Sequence, residues 1–290
     1  MIPQACITAW RSIAPWAEDA QIEQDLVLSR VVIELFTEPL VAGKVALRGG
    51  TALNKLFIQP ASRYSDDIDL VQTSAGAVGP LLDAMRGQLD SWLGRPKRSS
   101  AEGSVTLVYR FESEIPPVRP LRLKIEINTR EHFSVFGFQR HQVAVSNPWF
   151  TGTEAVTSYE LDELLGTKLR ALYQRRKGRD LFDLWLCLSR GLLDPDRVVT
   201  CFAEYMKREQ HAISRAEFER NLHEKFDDPA FLEDINPLLA ANVTYDVRTA
   251  IALVHEHLID RLPGKAWRGA PNALQKGRRR PPRHRKPKRE

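Results

Sequence analysis

The chain has 290 residues, 43% of them apolar, 27% charged and 8% aromatic, an ordinary globular balance that excludes collagen-like, mucin-like and wholly disordered proteins. No window approaches the roughly 18 uninterrupted apolar residues of a membrane helix, and the N-terminal stretch has no basic flank followed by an apolar run, so neither a membrane span nor a secretion signal is expected. The net charge of +5 is concentrated at one end: Lys276 to Glu290 carries nine Lys or Arg against one acid, which leaves 33 basic and 36 acidic side chains for the rest.

From Gln21 to Phe36, apolar residues recur at helical spacing and predict a core-facing helix. Lys44 to Arg48 then reads as a short strand, Gly49-Gly50 as a tight turn, and Thr51 to Phe57 as the start of another helix. Ile68 to Val71 is a second strand and Leu81 to Trp92 a helix. Ser104 to Phe111 and Leu121 to Asn128 are further strands, the latter with Leu121, Leu123, Ile125 and Ile127 on one face. Beyond Asn147 to Val156 the patterns are helical, at Tyr159 to Arg176, from Asp180, and at Pro195 to Arg208, Arg215 to Phe226 and Val247 to Arg261. The expected class is α+β, with a strand-containing domain over 1–150, a helical bundle over 151–270 and a basic tail over 271–290. That Pro-interrupted charge run has nothing to bury and is expected to be disordered, serving as a solvated extension or as an electrostatic arm for RNA. Cys6, Cys187 and Cys201 lack CxxC spacing, which fits free thiols in a reducing cytoplasm. His255 and His257, two apart on a helix, point to different faces and are not expected to bind metal.

The chemistry concentrates between Arg48 and Val71. A Gly-Gly turn between strand and helix leaves backbone N–H groups free at the helix N-terminus, with the Thr51 hydroxyl beside them, an arrangement suited to phosphate. Asp67 and Asp69, two apart on a strand, project from one face, where like charges are costly unless a cation bridges them; Mg²⁺ prefers such hard oxygen ligands together with substrate phosphates. A solvated strand end would carry the same two acids. Glu126, on the polar face of its strand with Lys124 and Asn128, is the candidate third carboxylate of a two-ion phosphoryl-transfer site. Lys168 lies off its helix's leucine stripe near Arg175, Arg176, Lys177 and Arg179, with Asp180 and Asp183 sharing one face of the next helix. This pattern fits an ion-paired hairpin. It fits equally a lysine that holds a triphosphate, with an acid fixing that lysine or the incoming nucleotide.

Taken together, Gly49-Gly50-Thr51, Arg63-Tyr64-Ser65 ahead of Asp67-Ile68-Asp69, and the run of cations and acids from Lys168 to Trp185 resemble the AbiEii-type nucleotidyltransferases, toxin partners in bacterial abortive-infection and toxin-antitoxin pairs. The likeness covers roughly residues 20 to 190. It implies an N-terminal domain similar to polymerase-β-like nucleotidyltransferases. Carried over by position, Gly49, Gly50 and Thr51 form the nucleotide loop with Ser65 nearby, and Thr51 stands where many members have Ser. Asp67 and Asp69 become metal acids with Glu126 as a third, Lys168 the triphosphate ligand with Asp180 beside it, and Asp183 an essential acid. The resemblance further implies Mg²⁺ as cofactor, NTP as substrate, an RNA acceptor such as a tRNA 3′ end, a role in phage defence and an antitoxin encoded nearby. Nucleotidylation of a protein or small molecule is the alternative activity, and a regulator that binds NTP or nucleic acid without turnover is the alternative class.

Overall fold

The computed structural model describes residues 2–269; the tail expected over 271–290 lies outside the described residues. Helices α1 (Gln4–Trp10), α2 (Asp19–Thr37) and α3 (Pro39–Lys44) lead into strand β1 (Val45–Arg48), which passes directly into α4 (Gly49–Ala52) and a π turn over Leu53–Phe57. Strand β2 (Asp67–Gln72), helix α5 (Gly79–Leu93) and strands β3 (Lys97–Ala101), β4 (Ser104–Glu112), β5 (Pro120–Asn128), β6 (Phe138–Asn147) and β7 (Phe150–Tyr159) follow. The remainder is helical: α6 (Leu161–Gln174), α7 (Gly178–Ser189), α8 (Pro195–Arg208), α9 (Arg215–Phe226), α10 (Pro229–Glu233) and α11 (Val247–His257). Among the described residues no helix is long and apolar enough to cross a membrane, and all three cysteines are free and buried.

The strands make one mixed sheet in the order β3-β4-β5-β2-β1-β7-β6. At its centre β1 and β2 are antiparallel, with β7 parallel to β1 and β5 parallel to β2. The outer pairs are antiparallel. One face carries an apolar row through Leu107, Ile125 and Ile68, with the next row running through Ile127, Leu70 and Leu47, all buried. Helix α5 lies on this face, where Tyr109 Oη donates to Asp90 at 3.0 Å, and α2 packs beside it. The leucine and valine stripe of α2 explains that burial, yet Glu23, Gln24, Asp25 and Ser29 are buried too. Each finds a partner, as buried polar groups must: Asp25 accepts from Trp10 Nε1 at 2.8 Å and pairs with Lys55 at 2.7 Å, Ser29 donates to the Asp25 carbonyl, Gln24 donates to the Arg122 carbonyl, and Glu23 accepts the Glu114 amide at 2.9 Å.

The boundary expected at residue 150 falls inside a β-hairpin. Asn147-Pro148 is a turn signal, and Asn147 Oδ1 does accept the Trp149 amide at 2.9 Å, but the turn joins β6 to β7 instead of two domains. Strand β7 docks on β1, with Ser158 Oγ donating to the Leu47 carbonyl at 2.8 Å. The strand-bearing half therefore runs to Tyr159, and Glu160 opens the helical half as the residue before α6. Several ties join the halves. Fully buried Glu163 of α6 accepts from Ser134 Oγ, the amides of Val135 and Phe136, and Tyr205 Oη, all within 2.9 Å, anchoring the β5–β6 connection. The segment before β2 pairs with the chain after α10, Tyr64 N donating to the Leu238 carbonyl at 2.7 Å.

Candidate active site

Sheet register assembles the first wall. Arg48 on β1 stands opposite Asp69 on β2, which stands opposite Glu126 on β5, while Asp67 is opposite Lys124. Directly paired residues share a face, so these five form a polar patch, and the intervening Ile68 and Leu70 are buried on the other side. Gly49 follows at the end of β1 with φ +77°, and a Cβ there would lie 2.3 Å from Asp69 Oδ2. Backbone conformation and close approach therefore both require glycine. At Gly50 a Cβ would lie 2.5 Å from Arg63 Nη2 and 2.9 Å from Ser65 Oγ. Thr51 is buried, and its hydroxyl donates to the Asp67 carbonyl at 2.5 Å and lies 3.1 Å from Ser65 Oγ, whose hydroxyl can donate to it. Thr51 and Ser65 thus brace the start of β2, and the Thr51 hydroxyl is turned to the protein and away from the cleft.

The second wall comes from α6 and α7, more than a hundred residues further on. Lys168 Nζ lies 3.1 Å from Asp180 Oδ1 and 2.9 Å from Asp183 Oδ2. Asp183 in turn receives a bidentate pair from Arg63, Nε at 2.6 Å and Nη2 at 2.8 Å, with both side chains only 2% exposed. Asp180 receives Arg175 Nε at 2.7 Å and Nη2 at 2.9 Å. Both acids thus fix the lysine, and Asp183 also fastens the helical half to the segment that precedes β2. Burial opposes ionisation of Asp183, but Arg63 and Lys168 outweigh it and hold the carboxyl at about 2. Asp180, likewise desolvated, is lowered by Lys168 and Arg175.

Between the walls lies a cleft of ≈ 300 Å³, which Gly49, Asp69, Glu126, Lys168, Arg170 and Arg175 all line. The charge balance differs here. Loss of solvent and the neighbouring Asp67 raise Asp69 to about 6, with Glu126 adding to the effect, against a downward pull from Arg48 and Lys168. Glu126 sits in register beside Asp69, with its carboxylate 2.6 Å from Lys124 Nζ in a partly exposed pair. Three acids on one sheet face, Asp69 beside Glu126 and Asp67 next along β2, are a set of hard-oxygen donors. That set fits Mg²⁺.

Other residues of the cleft carried no assignment from the sequence. Arg48 and Arg170 both bind Glu131, at 2.5 and 2.6 Å, and Arg170 also reaches Glu209 at 2.9 Å. The two guanidinium groups outweigh burial and hold Glu131 at about 2. A cation ending an apolar strand just before Gly-Gly was a signal for Arg48. The partners of Arg63 and Arg170 lie too far away in sequence to leave one.

Among the described residues, a tight group of metal-type ligand atoms, all within 4.8 Å of one another, forms elsewhere, from Glu219, His255 and Asp260. His255 lies 2.9 Å from Glu219 and 3.1 Å from Asp260, and Arg215 binds the same two carboxylate oxygens at 2.7 and 2.6 Å. Arg215 supplies the positive charge these acids need, making the cluster a clasp between α9 and the chain after α11.

Comparison with known proteins bears on this cleft. None of the curated proteins matches the sequence. Among solved structures, the chain is similar to MenT4, the nucleotidyltransferase toxin Rv2826c of Mycobacterium tuberculosis H37Rv, with 14% identity, a TM-score of 0.50, and 89% of this chain and 96% of that one covered. It is also similar to an H. pylori protein assigned as a nucleotidyltransferase, with 17% identity, a TM-score of 0.49, and 82% and 92% covered. At 14% identity the likeness to MenT4 is one of fold. The model of the family described as "Nucleotidyl transferase AbiEii toxin, Type IV TA system" matches residues 32–253, a span that holds both walls of the cleft. The chain belongs to the AbiEii nucleotidyltransferase toxin family.

Proposed function

We propose that this nucleotidyltransferase moves a nucleotidyl group from NTP to a hydroxyl of RNA, with the 3′ end of a tRNA as the acceptor and pyrophosphate as the product, in the cytoplasm, where the antitoxin of the pair restrains it. The observation that carries the assignment is the convergence of Asp69, Glu126 and Gly49 from the sheet with Lys168 and Arg175 from the helices on one cleft. The acceptor oxygen attacks the α-phosphorus, a new P–O bond forms, the bond to the β-phosphate breaks, and pyrophosphate leaves. Lys168, held by two acids, offers its remaining donor to the triphosphate, and Arg175 and Arg48 add positive charge around it. The hydroxyl proton passes to a carboxylate of the cluster as the new bond forms. Asp67, Asp69 and Glu126 would hold Mg²⁺, one ion or two, whose chemistry is to neutralise the charge gathering on the phosphates. Gly49, on the cleft wall, lets the backbone that would meet the nucleotide lie against Asp69, and Gly50 behind it leaves room for Arg63 and Ser65.

The test is incubation of the purified chain with labelled NTPs, total RNA and cell protein. Labelled RNA, with sequencing of the modified ends, supports the assignment and names the acceptor. Label on protein alone, or nucleotide binding without release of pyrophosphate, rejects it.

A further inference from the structure

Beyond the acids the sheet runs outward through β5, β4 and β3, and there it is covered on one face only. Leu107, Tyr109, Leu123 and Ile125 are fully buried on the side of α5. On the side shared with Asp67 and Asp69, every side chain from β3 to β5 is at least partly exposed. This open face is basic. Arg110 on β4 stands directly opposite Arg122 on β5, and the next row carries Lys97 and Lys124 at either side of Val108. Like charges paired across a ladder cost stability. Neither Arg110 nor Arg122 has an acidic partner among the described residues, whereas Lys124 is satisfied by Glu126. The acid nearest the arginines along the strand is exposed Glu112, at the outer rim. An open hollow of ≈ 460 Å³ at this end is lined by Arg110 and Arg122 together with Phe111, Glu112, Pro120 and Leu121, two cations against one acid.

Position relative to the cleft narrows the occupant. Gly49, Lys168 and Arg175 take up the side of the acids toward β1 and α6, which leaves the β5 side for the second substrate. Arg122 lies four residues from Glu126 along β5, about 13 Å, within reach of a polyanion whose end sits at Asp69. We propose that the single-stranded 3′ end of the acceptor RNA lies across the open face of β3 to β5, its backbone phosphates on Arg110 and Arg122 and its terminal hydroxyl at Asp69 and Glu126. Guanidinium groups side by side suit phosphate oxygens, and an anion between them removes the repulsion the fold otherwise bears. This rests on the assignment of RNA as acceptor.

The test uses the full-length chain and its Arg110→Ala/Arg122→Ala variant, both positions being exposed and outside the core. RNA binding is measured across a salt series, and KM is measured for NTP and RNA separately. The variant is expected to raise the RNA KM about tenfold and to reduce the slope of log affinity against log salt by about 1.4, the release expected for two phosphate contacts on a single strand, with the NTP KM unchanged. An Arg110→Lys/Arg122→Lys variant should keep the slope. The basic C-terminal segment is present in every protein compared and cancels. If the wild-type chain extends RNA and the alanine variant matches it in affinity and slope, the platform is wrong and the RNA assignment stands. If the wild-type chain labels only protein, both fall.

Discussion

Two pairs of aspartates in this molecule sit at comparable spacing and live in opposite electrostatic worlds. Asp180 and Asp183, one helical turn apart, are sealed from water and surrounded by more positive charge than they carry: Arg63, Arg175 and Lys168 all bind them, and Asp183 is held at about 2. Asp67 and Asp69, two apart on a strand, share one sheet face; Asp69 lines the open cleft and is raised to about 6 because desolvation and a like neighbour outweigh Arg48 and Lys168. A carboxylate that is overcompensated is already satisfied and serves as structure. One that is undercompensated is poised for a cation or a proton. Residue type and spacing are nearly the same; the count of charges brought in by the fold separates a strut from a site.

The comparison breaks most visibly at Asp183. Asp183→Ala leaves Arg63 buried without its partner, and loss of one member of a buried pair costs about 3–5 kcal/mol. Urea unfolding should show that loss, together with loss of nucleotide transfer, whereas Arg63→Met/Asp183→Leu should lose less stability than Asp183→Ala. Equal midpoints for Asp183→Ala and wild type would mean that this pair does not join the halves.

Asp69→Ala is the counterpart. It relieves repulsion, so the melting temperature should hold or rise, while transfer falls by about 10²–10³-fold, the order seen when a single electrostatic stabiliser of a transition state is removed; Asp67→Ala should behave alike. Parallel melts and labelled-NTP assays check both, and a folded Asp69→Ala protein with full activity would remove the acids from the mechanism.

A smaller effect separates two glycines. Gly49→Ala forces a side chain into positive φ and against Asp69, and should cost about 1–3 kcal/mol as well as activity. Gly43→Ala, within α3 with nothing inside 4 Å of the added carbon, should gain about 0.5–1 kcal/mol. Thermal melts of the two variants suffice to check the contrast.

The smallest is a pH effect at Glu23, a third kind of acid, buried with no Lys or Arg ion pair among the described residues and raised by that burial to about 7. Its pKa is higher folded than unfolded, so its favourable contribution is complete below about 4.5 and disappears as pH rises through 7. Glu23→Gln should therefore be more stable than wild type at pH 8 by roughly 1–2 kcal/mol, an amount already discounted for solvent screening, with the gap closing toward pH 4.5. A gap that does not change with pH would show that Glu23 stays charged throughout.

The acids and glycines were legible because their signals are local. Asp67-Ile68-Asp69 alternates on a strand wherever that strand lies, Gly49-Gly50 between strand and helix leaves few other uses, and the leucine stripe of α6 sets Lys168 apart. The hairpin of β6 and β7 was not legible. Its exposed polar residues, Gln139, Arg140 and Gln142 among them, dilute the apolar alternation, and Asn147-Pro148 marks a turn without saying what it joins.

By itself the amino-acid sequence determined which side chains lie two or four residues apart, hence the two acid pairs, the α+β class and the likeness to AbiEii toxins, since strand and helix periods act within a few residues. Only the tertiary structure decided that Arg63, 120 positions before Asp183, would neutralise it, that Glu126 would stand beside Asp69, and that Arg110 and Arg122 would meet on an uncovered face. Charge compensation is a sum over neighbours in space, and the chain acquires those neighbours when long-range strand pairing and helix docking bring distant segments together.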